Sequence, residues 1–238
     1  MGAIYRLTLR QLFGRWRLAI MTALAALPVL ITVPMLRDER VGIGVDEFDA
    51  IVLNGMLAGS ITPLVVLAIA AAAFANEVED KTLANLTLTP LPRWRIVVPK
   101  LLAVFTIAAP FMGISALATG HLAFLADARA TAAVTIGAVA GVALYGAAFV
   151  WLGLVTNYAV AVGLLYIVLW EGFFSRFVAG VRLLSIRHYT ISLMHALDPS
   201  RFAAADHLGP TVAIVTSIVV FGAFLLLSIR RLRRMDVP

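Results

Sequence analysis

Six long apolar runs constrain this chain more than any other feature. They fall at roughly 17–36, 55–75, 97–120, 132–154, 159–178 and 211–229. Each is close to the ~20 residues a helix needs to cross the hydrocarbon layer of a bilayer. No water reaches the backbone there, so every N–H and C=O must be bonded within the protein, and isolated runs of this kind become helices. With the runs assigned, little of the 238 residues is left for a folded soluble domain. Charged residues make up 13% of the chain, about half the ~25% of an ordinary soluble domain. The fold expected is all-α: one polytopic membrane domain over 1–238 with six transmembrane helices.

The positive charges set the expected orientation. Arg6, Arg10, Arg15, Arg17, Lys81, Arg93, Arg95, Lys100, Arg230, Arg231, Arg233 and Arg234 fall on one side of the expected crossings. Arg37, Arg40, Arg129, Arg176, Arg182, Arg187 and Arg201 fall on the other. The richer side is the one that stays in the cytoplasm, so both termini are expected there, with the chain a multi-pass protein of the cell inner membrane. The net charge of +6 then reflects helix ends facing anionic lipid; no nucleic-acid partner is expected. The chain has no cysteine, which excludes disulfides and thiolate chemistry. The first run is too long for a signal-peptide core and should stay as an anchor.

Between the runs, the chain has local character. Residues 1–16 form an amphipathic segment, with Tyr5, Leu9, Leu12, Phe13 and Trp16 on one helical face and Arg6, Arg10 and Arg17 on another. That pattern suits a helix lying in the headgroup plane. The loop 37–50 is acidic, and the turn at 156–158 is tight enough to make the fourth and fifth helices antiparallel neighbours. Residues 179–210 are too polar to cross and too apolar for a free loop, so short re-entrant or interfacial outer helices are expected before the last crossing. In the fourth run Gly137 and Gly141 have GxxxG spacing, which favours close helix approach within the subunit or between subunits. Pro28, Pro34, Pro63 and Pro110 lie inside apolar runs and should kink their helices.

The most specific stretch is FANEVEDKTLANLTLTPLPRWRIVVPK, residues 74–100. Glu77, Glu79 and Asp80 cluster where the second helix leaves the membrane. Asp80 can cap a short helix over 80–89, whose apolar face is Leu83 and Leu86; Pro90 and Pro92 end it. Arg93, Trp94 and Arg95 make an interfacial anchor, and Lys100 can snorkel from the start of the third helix. A short helix that presents an apolar bump to the cytoplasm suits docking into the groove of a soluble partner.

This segment, 76–96, resembles the coupling-helix region of the type-2 permease subunits of ATP-binding-cassette (ABC) transporters. That family runs acidic–x–acidic–x–Gly–Thr–Leu, a short helix, Pro–x–Ser–Arg–aromatic, then a Lys as the next helix begins. Glu77, Glu79, Thr82, Leu83, Pro90, Arg93, Trp94 and Lys100 stand at the matching places, while Lys81 and Pro92 replace the usual Gly and Ser. The resemblance implies a permease subunit of an exporter that moves a hydrophobic or amphipathic cargo: a drug, peptide or lipid. It implies pairing with a second permease subunit, as a homodimer or heterodimer, in contact with membrane lipid. It also implies docking of Glu77, Glu79, Asp80, Thr82, Leu83, Leu86, Pro90 and Arg93 on a cytoplasmic ABC ATPase subunit. The sequence has no GxxxxGK[ST] phosphate loop, so no enzyme activity and no cofactor are expected in this chain, ATP and Mg being bound by the partner ATPase. A non-transport membrane anchor or sensor coupled to the same kind of ATPase is the alternative that the residues leave open.

Outside that segment, Glu171 is the one acidic residue within an apolar run, a position that is functional by default in a membrane. The plainer expectation pairs it with Arg176 or water near the outer end of its helix. With Trp170 and Phe173 it is also a candidate for the cargo pathway. His121, His188, His195 and His207 all fall on the outer side without metal-site spacing, so no metal is expected.

Overall fold

The computed structural model describes residues 2–37, 45–74, 92–125, 127–174, 185–202 and 208–234. Among them every regular element is helical. In chain order these are α1 (Gly2–Leu12), α2 (Arg15–Arg37), α3 (Asp49–Phe74), α4 (Trp94–Phe124), α5 (Ala128–Val155), α6 (Ala159–Phe173), α7 (Ile186–Leu197) and α8 (Pro210–Arg234). Five of them, α2, α3, α4, α5 and α8, are long and apolar enough to cross a membrane. The sixth expected crossing, 159–178, is described as the apolar helix α6, and its last residues lie outside the described ones.

Two stretches depart from ordinary α geometry. Asp49–Ile61 in α3 and Tyr166–Phe174 in α6 are π-helical, with wider turns. In α3 the hydroxyls of Ser60 and Thr62 each reach back five residues, to the carbonyls of Gly55 (3.0 Å) and Leu57 (2.7 Å). The return to α geometry comes beside Pro63, which has no N–H to give to either ladder. Wide turns of this kind gather at functional sites.

The central element is α5, which packs against α3, α4, α6, α7 and α8. Its small residues explain how. A methyl placed on Gly141 would lie 2.9 Å from the Thr190 hydroxyl, and one on Gly137 2.4 Å from the Met194 side chain. The GxxxG pair therefore serves a contact within the subunit, against α7. Near the far end of α5, a methyl on Gly153 would lie 2.9 Å from the Ala71 carbonyl oxygen of α3. By contrast, α2 and α8 show most of their apolar surface: 22% and 17% of their most apolar stretch is buried, against 67% for α5 and 78% for α3. Those outer faces require hydrocarbon or another protein, not water.

The bundle has a basic end and an opposite end. At the basic end α1 lies on α4, joined by the Tyr5 hydroxyl donating to Thr106 at 3.0 Å. The buried side of α1 is Thr8 and Leu12. Phe13 (60% exposed) and Trp16 (78% exposed) do not share it as the amphipathic pattern predicts, because the helix breaks at residues 13–14 and α2 starts in a new direction. The Arg231 guanidinium donates from Nε to the Leu154 carbonyl (3.4 Å), so the ends of α8 and α5 meet here. The fourth and fifth helices of the sequence reading are antiparallel neighbours as expected, with Thr156 Oγ1 accepting from the Tyr158 N–H in the turn. At the opposite end Asp127 caps α5, accepting from the N–H groups of Arg129 (3.0 Å) and Ala130 (3.1 Å). Arg129 Nε in turn donates to the Leu197 carbonyl, which closes the last turn of α7 (3.1 Å).

Candidate functional site: a buried carboxylate at a helix start inside the bundle

The contacts of α7 along α5 set its depth. Its residues 190 and 194 face Gly141 and Gly137, and its last carbonyl meets Arg129 at the first turn of α5. Its first residue must then lie level with Tyr145, well inside the bundle. A helix that begins there exposes N–H groups to a medium with no water. Glu171, 0% exposed, answers them. Its Oε1 accepts from the N–H groups of Ile186 (3.0 Å) and Arg187 (3.3 Å), and from the hydroxyls of Tyr145 (3.1 Å) and Tyr166 (2.9 Å). Its Oε2 accepts from the Ser185 hydroxyl at 2.5 Å, while Ser185 Oγ accepts from the His188 N–H (3.2 Å) as the N-cap of α7. A carboxylate at a helix start is favoured by the helix dipole as well as by these bonds.

Arg187 joins this centre to both wide-turned helices. Its Nη1 donates to the backbone carbonyl of Glu171 (3.1 Å) and its Nε to Asn54 Oδ1 (2.5 Å) in the π-helical part of α3. Gly59 makes room, since a Cβ there would lie 3.1 Å from Arg187 Cδ. The site is thus a buried carboxylate, a helix start and two wide turns joined by one guanidinium.

The expected partner of Glu171, Arg176, lies outside the described residues. The partners seen are Tyr145, Tyr166, Ser185 and the start of α7, none of which stood out in the sequence alone. A polar residue inside an apolar run was the available signal, and it would have marked Tyr145 and Asn54. Of the other pathway candidates, Trp170 is half-buried and Phe173 is 55% exposed. His195 is buried with Nδ1 3.1 Å from the Phe202 carbonyl oxygen, and His121 is exposed. His188 is half-buried, and His207 lies outside the described residues.

Next to this centre, an apolar cavity of about 340 Å³ opens between α5, α6 and α8, with Ile186 and Tyr189 of α7 at its back. Tyr166 and Ile186 form its wall toward Glu171, and Trp151 and Phe224 (ring centroids 5.6 Å apart) its wall toward the basic end. Beyond α7, Asp198 is buried, and its carboxyl is held below its ordinary value of 3.8. The chief cause is the Ser200 hydroxyl donating to it at 2.7 Å, with the Arg201 N–H at 3.3 Å and the charge of Arg129 acting in the same direction against desolvation.

The docking candidates Glu77, Glu79, Asp80, Thr82, Leu83, Leu86 and Pro90 lie outside the described residues. Arg93 stands just before α4, its carbonyl accepting from the N–H groups of Ile96 (3.0 Å) and Val97 (3.1 Å). Trp94 is 43% exposed, with the Arg95 guanidinium 5.5 Å from its ring. Lys100 does not snorkel. It is 0% exposed, its Nζ donates to the Ala73 carbonyl, and it lies 4.4 Å from the centre of the Phe74 ring. The reason is local: a carbonyl oxygen and an aromatic face of α3 both favour a cation at this place.

No curated relative matches the chain. A family model described as "ABC-2 family transporter protein" matches residues 15–188. That span runs from the first residue of α2, through residues 74–100 and the Glu171 centre, to the first turn of α7, and the chain therefore belongs to the ABC-2 family of membrane transport components.

Proposed function

We propose that this chain is the permease subunit of an ATP-driven exporter, sited in the inner membrane with its basic end in the cytoplasm. Two such subunits, identical or related, form the membrane unit. An ABC ATPase docks on the short helix at 80–89, binds ATP and Mg, and moves that helix when it closes. Leu83 and Leu86 fill its groove, while Glu77, Glu79, Asp80, Thr82, Pro90 and Arg93 shape and orient the segment. The cargo is hydrophobic or amphipathic, with Glu171, Trp170 and Phe173 as pathway candidates.

The observation that carries this reading is the Lys100 clasp. The family implies an ATPase partner, and any pull on 75–91 must pass through its two feet, the end of α3 and the start of α4. Lys100, on α4, grips the Ala73 carbonyl and the Phe74 ring of α3, so the two feet move together. Leu86→Asp tests it. Wild-type chain should copurify with an ATPase whose hydrolysis drives cargo movement in vesicles; the variant should insert normally yet lose both. Undiminished transport by Leu86→Asp removes the docking assignment.

A further inference from the structure

We infer that the cavity between α5, α6 and α8 is a binding site for an anionic phospholipid of the leaflet bordering the basic end. One acyl chain fills the cavity, and the phosphate is held by Arg231 and Arg234.

The lining decides the chain. Ala148, Leu152, Val162, Val220 and Phe224 offer the cavity almost no polar surface, so water has no partners in it. Left empty, its walls would lose their dispersion contacts. The cavity is open on one side, and Val160, Leu164, Ile218 and Val219 on the same two outer helices, α6 and α8, are exposed. In a bilayer the neighbour of such faces is hydrocarbon.

The head group is decided by α8. At 100° per residue, Arg231 falls within about 20° of Val220 and Phe224, the α8 residues that line the cavity. It lies about 10 Å beyond Phe224 along the axis. The headgroup zone of a bilayer is roughly 5–8 Å deep on each side. A phosphate at Arg231 therefore brings its first methylenes to the near wall of the cavity. The bond from Arg231 Nε to the Leu154 carbonyl keeps that guanidinium at the end of α5, two residues past Leu152 in the cavity wall. Arg234 follows one turn later and is exposed, with Arg230 and Arg233 beside it. Among the described residues, Asp46, Glu47, Asp49, Asp127 and Asp198 lie toward the opposite end and Glu171 lies inside the bundle, so none competes for these arginines.

Trp151 lines the cavity and serves as the reporter. The full chain carrying Trp16→Phe, Trp94→Phe and Trp170→Phe is placed in nanodiscs of phosphatidylcholine doped with lipid brominated along its acyl chains. Brominated phosphatidylglycerol should quench Trp151 at several-fold lower mole fraction than brominated phosphatidylcholine, at about fivefold for each arginine engaged. Arg231→Gln with Arg234→Gln should bring the two curves together. Native mass spectrometry of the chain with all four tryptophans should show retained phosphatidylglycerol that the double variant loses. Coincident curves in the parent protein, or a preference for phosphatidylglycerol that survives Arg231→Gln/Arg234→Gln, overturn the assignment.

Discussion

Replacing Glu171 by alanine should release the start of α7. Five donors converge on that carboxylate: the hydroxyls of Tyr145, Tyr166 and Ser185 and the N–H groups of Ile186 and Arg187. Hydroxyls rotate and can find other acceptors; the two backbone N–H groups cannot, and Tyr145 is 0% exposed. Each buried donor left without an acceptor costs about 1–3 kcal/mol. Three such groups give roughly 3–9 kcal/mol, and water entering the space of the lost carboxyl brings the figure toward the lower end. About 3 kcal/mol is a factor of more than a hundred in the opening equilibrium, since 1.4 kcal/mol is tenfold. Glu171→Gln keeps the shape and one acceptor oxygen, so its loss should stay near tenfold. Amide hydrogen exchange in nanodiscs measures this directly: α7 should exchange over a hundred times faster in the alanine variant, with the interior of α5 unchanged as the internal reference. If α7 exchange in Glu171→Ala stays within about twofold of the parent, the carboxylate does not hold this helix and the reasoning fails.

Three further outcomes follow from the same structure. Gly141→Val should push Thr190 away from α5 and cost about 1–3 kcal/mol by overpacking, read as a lower midpoint of thermal unfolding in detergent; an unchanged midpoint refutes the close contact. Lys100→Met should remove the bond to the Ala73 carbonyl and the contact with the Phe74 ring, cost about 1.5–3 kcal/mol and lower the cargo moved per ATP hydrolysed, whereas Lys100→Arg should retain part of the coupling. Asp198 has its pKa lowered on folding, so its stabilisation is complete above its ordinary value of 3.8 and is lost as pH falls through the depressed folded value. Protease nicking near residues 198–202 should therefore rise on acidification below about pH 4, and Asp198→Asn should nick readily at neutral pH and lose that dependence.

The crossings were legible because a bilayer leaves the backbone few alternatives. The runs at 17–36, 97–120, 132–154 and 211–229 all lie within long helices. Depth was not legible. The run 159–178 is mostly apolar, and nothing in its composition told that a second helix, α7, starts inside the bundle beside Glu171. That residue stood out because a carboxyl among apolar neighbours is costly. Its partners did not, because the nearest arginine in sequence was the obvious choice while the fold brought in Tyr145, 26 positions away. The GxxxG spacing correctly signalled close approach at Gly137 and Gly141 but carried no information on which helix approaches. For Lys100 the snorkelling rule lost to local partners, the Ala73 carbonyl and the Phe74 ring of α3. The coupling motif was read from residue types alone, and its central positions lie outside the described residues.

The glycines of α5 have a mechanical consequence. Side chains with several torsions can absorb a displacement by changing rotamer; glycine and alanine have none to change. Where α5 meets α3 at Gly153 the two backbones lie almost directly on one another, and at Gly141 only the short side chain of Thr190 stands between α5 and α7. A push delivered at Gly153, near the end where α3 finishes, has no soft layer in which to dissipate. It must arrive at the far helix as a shift of the whole rod.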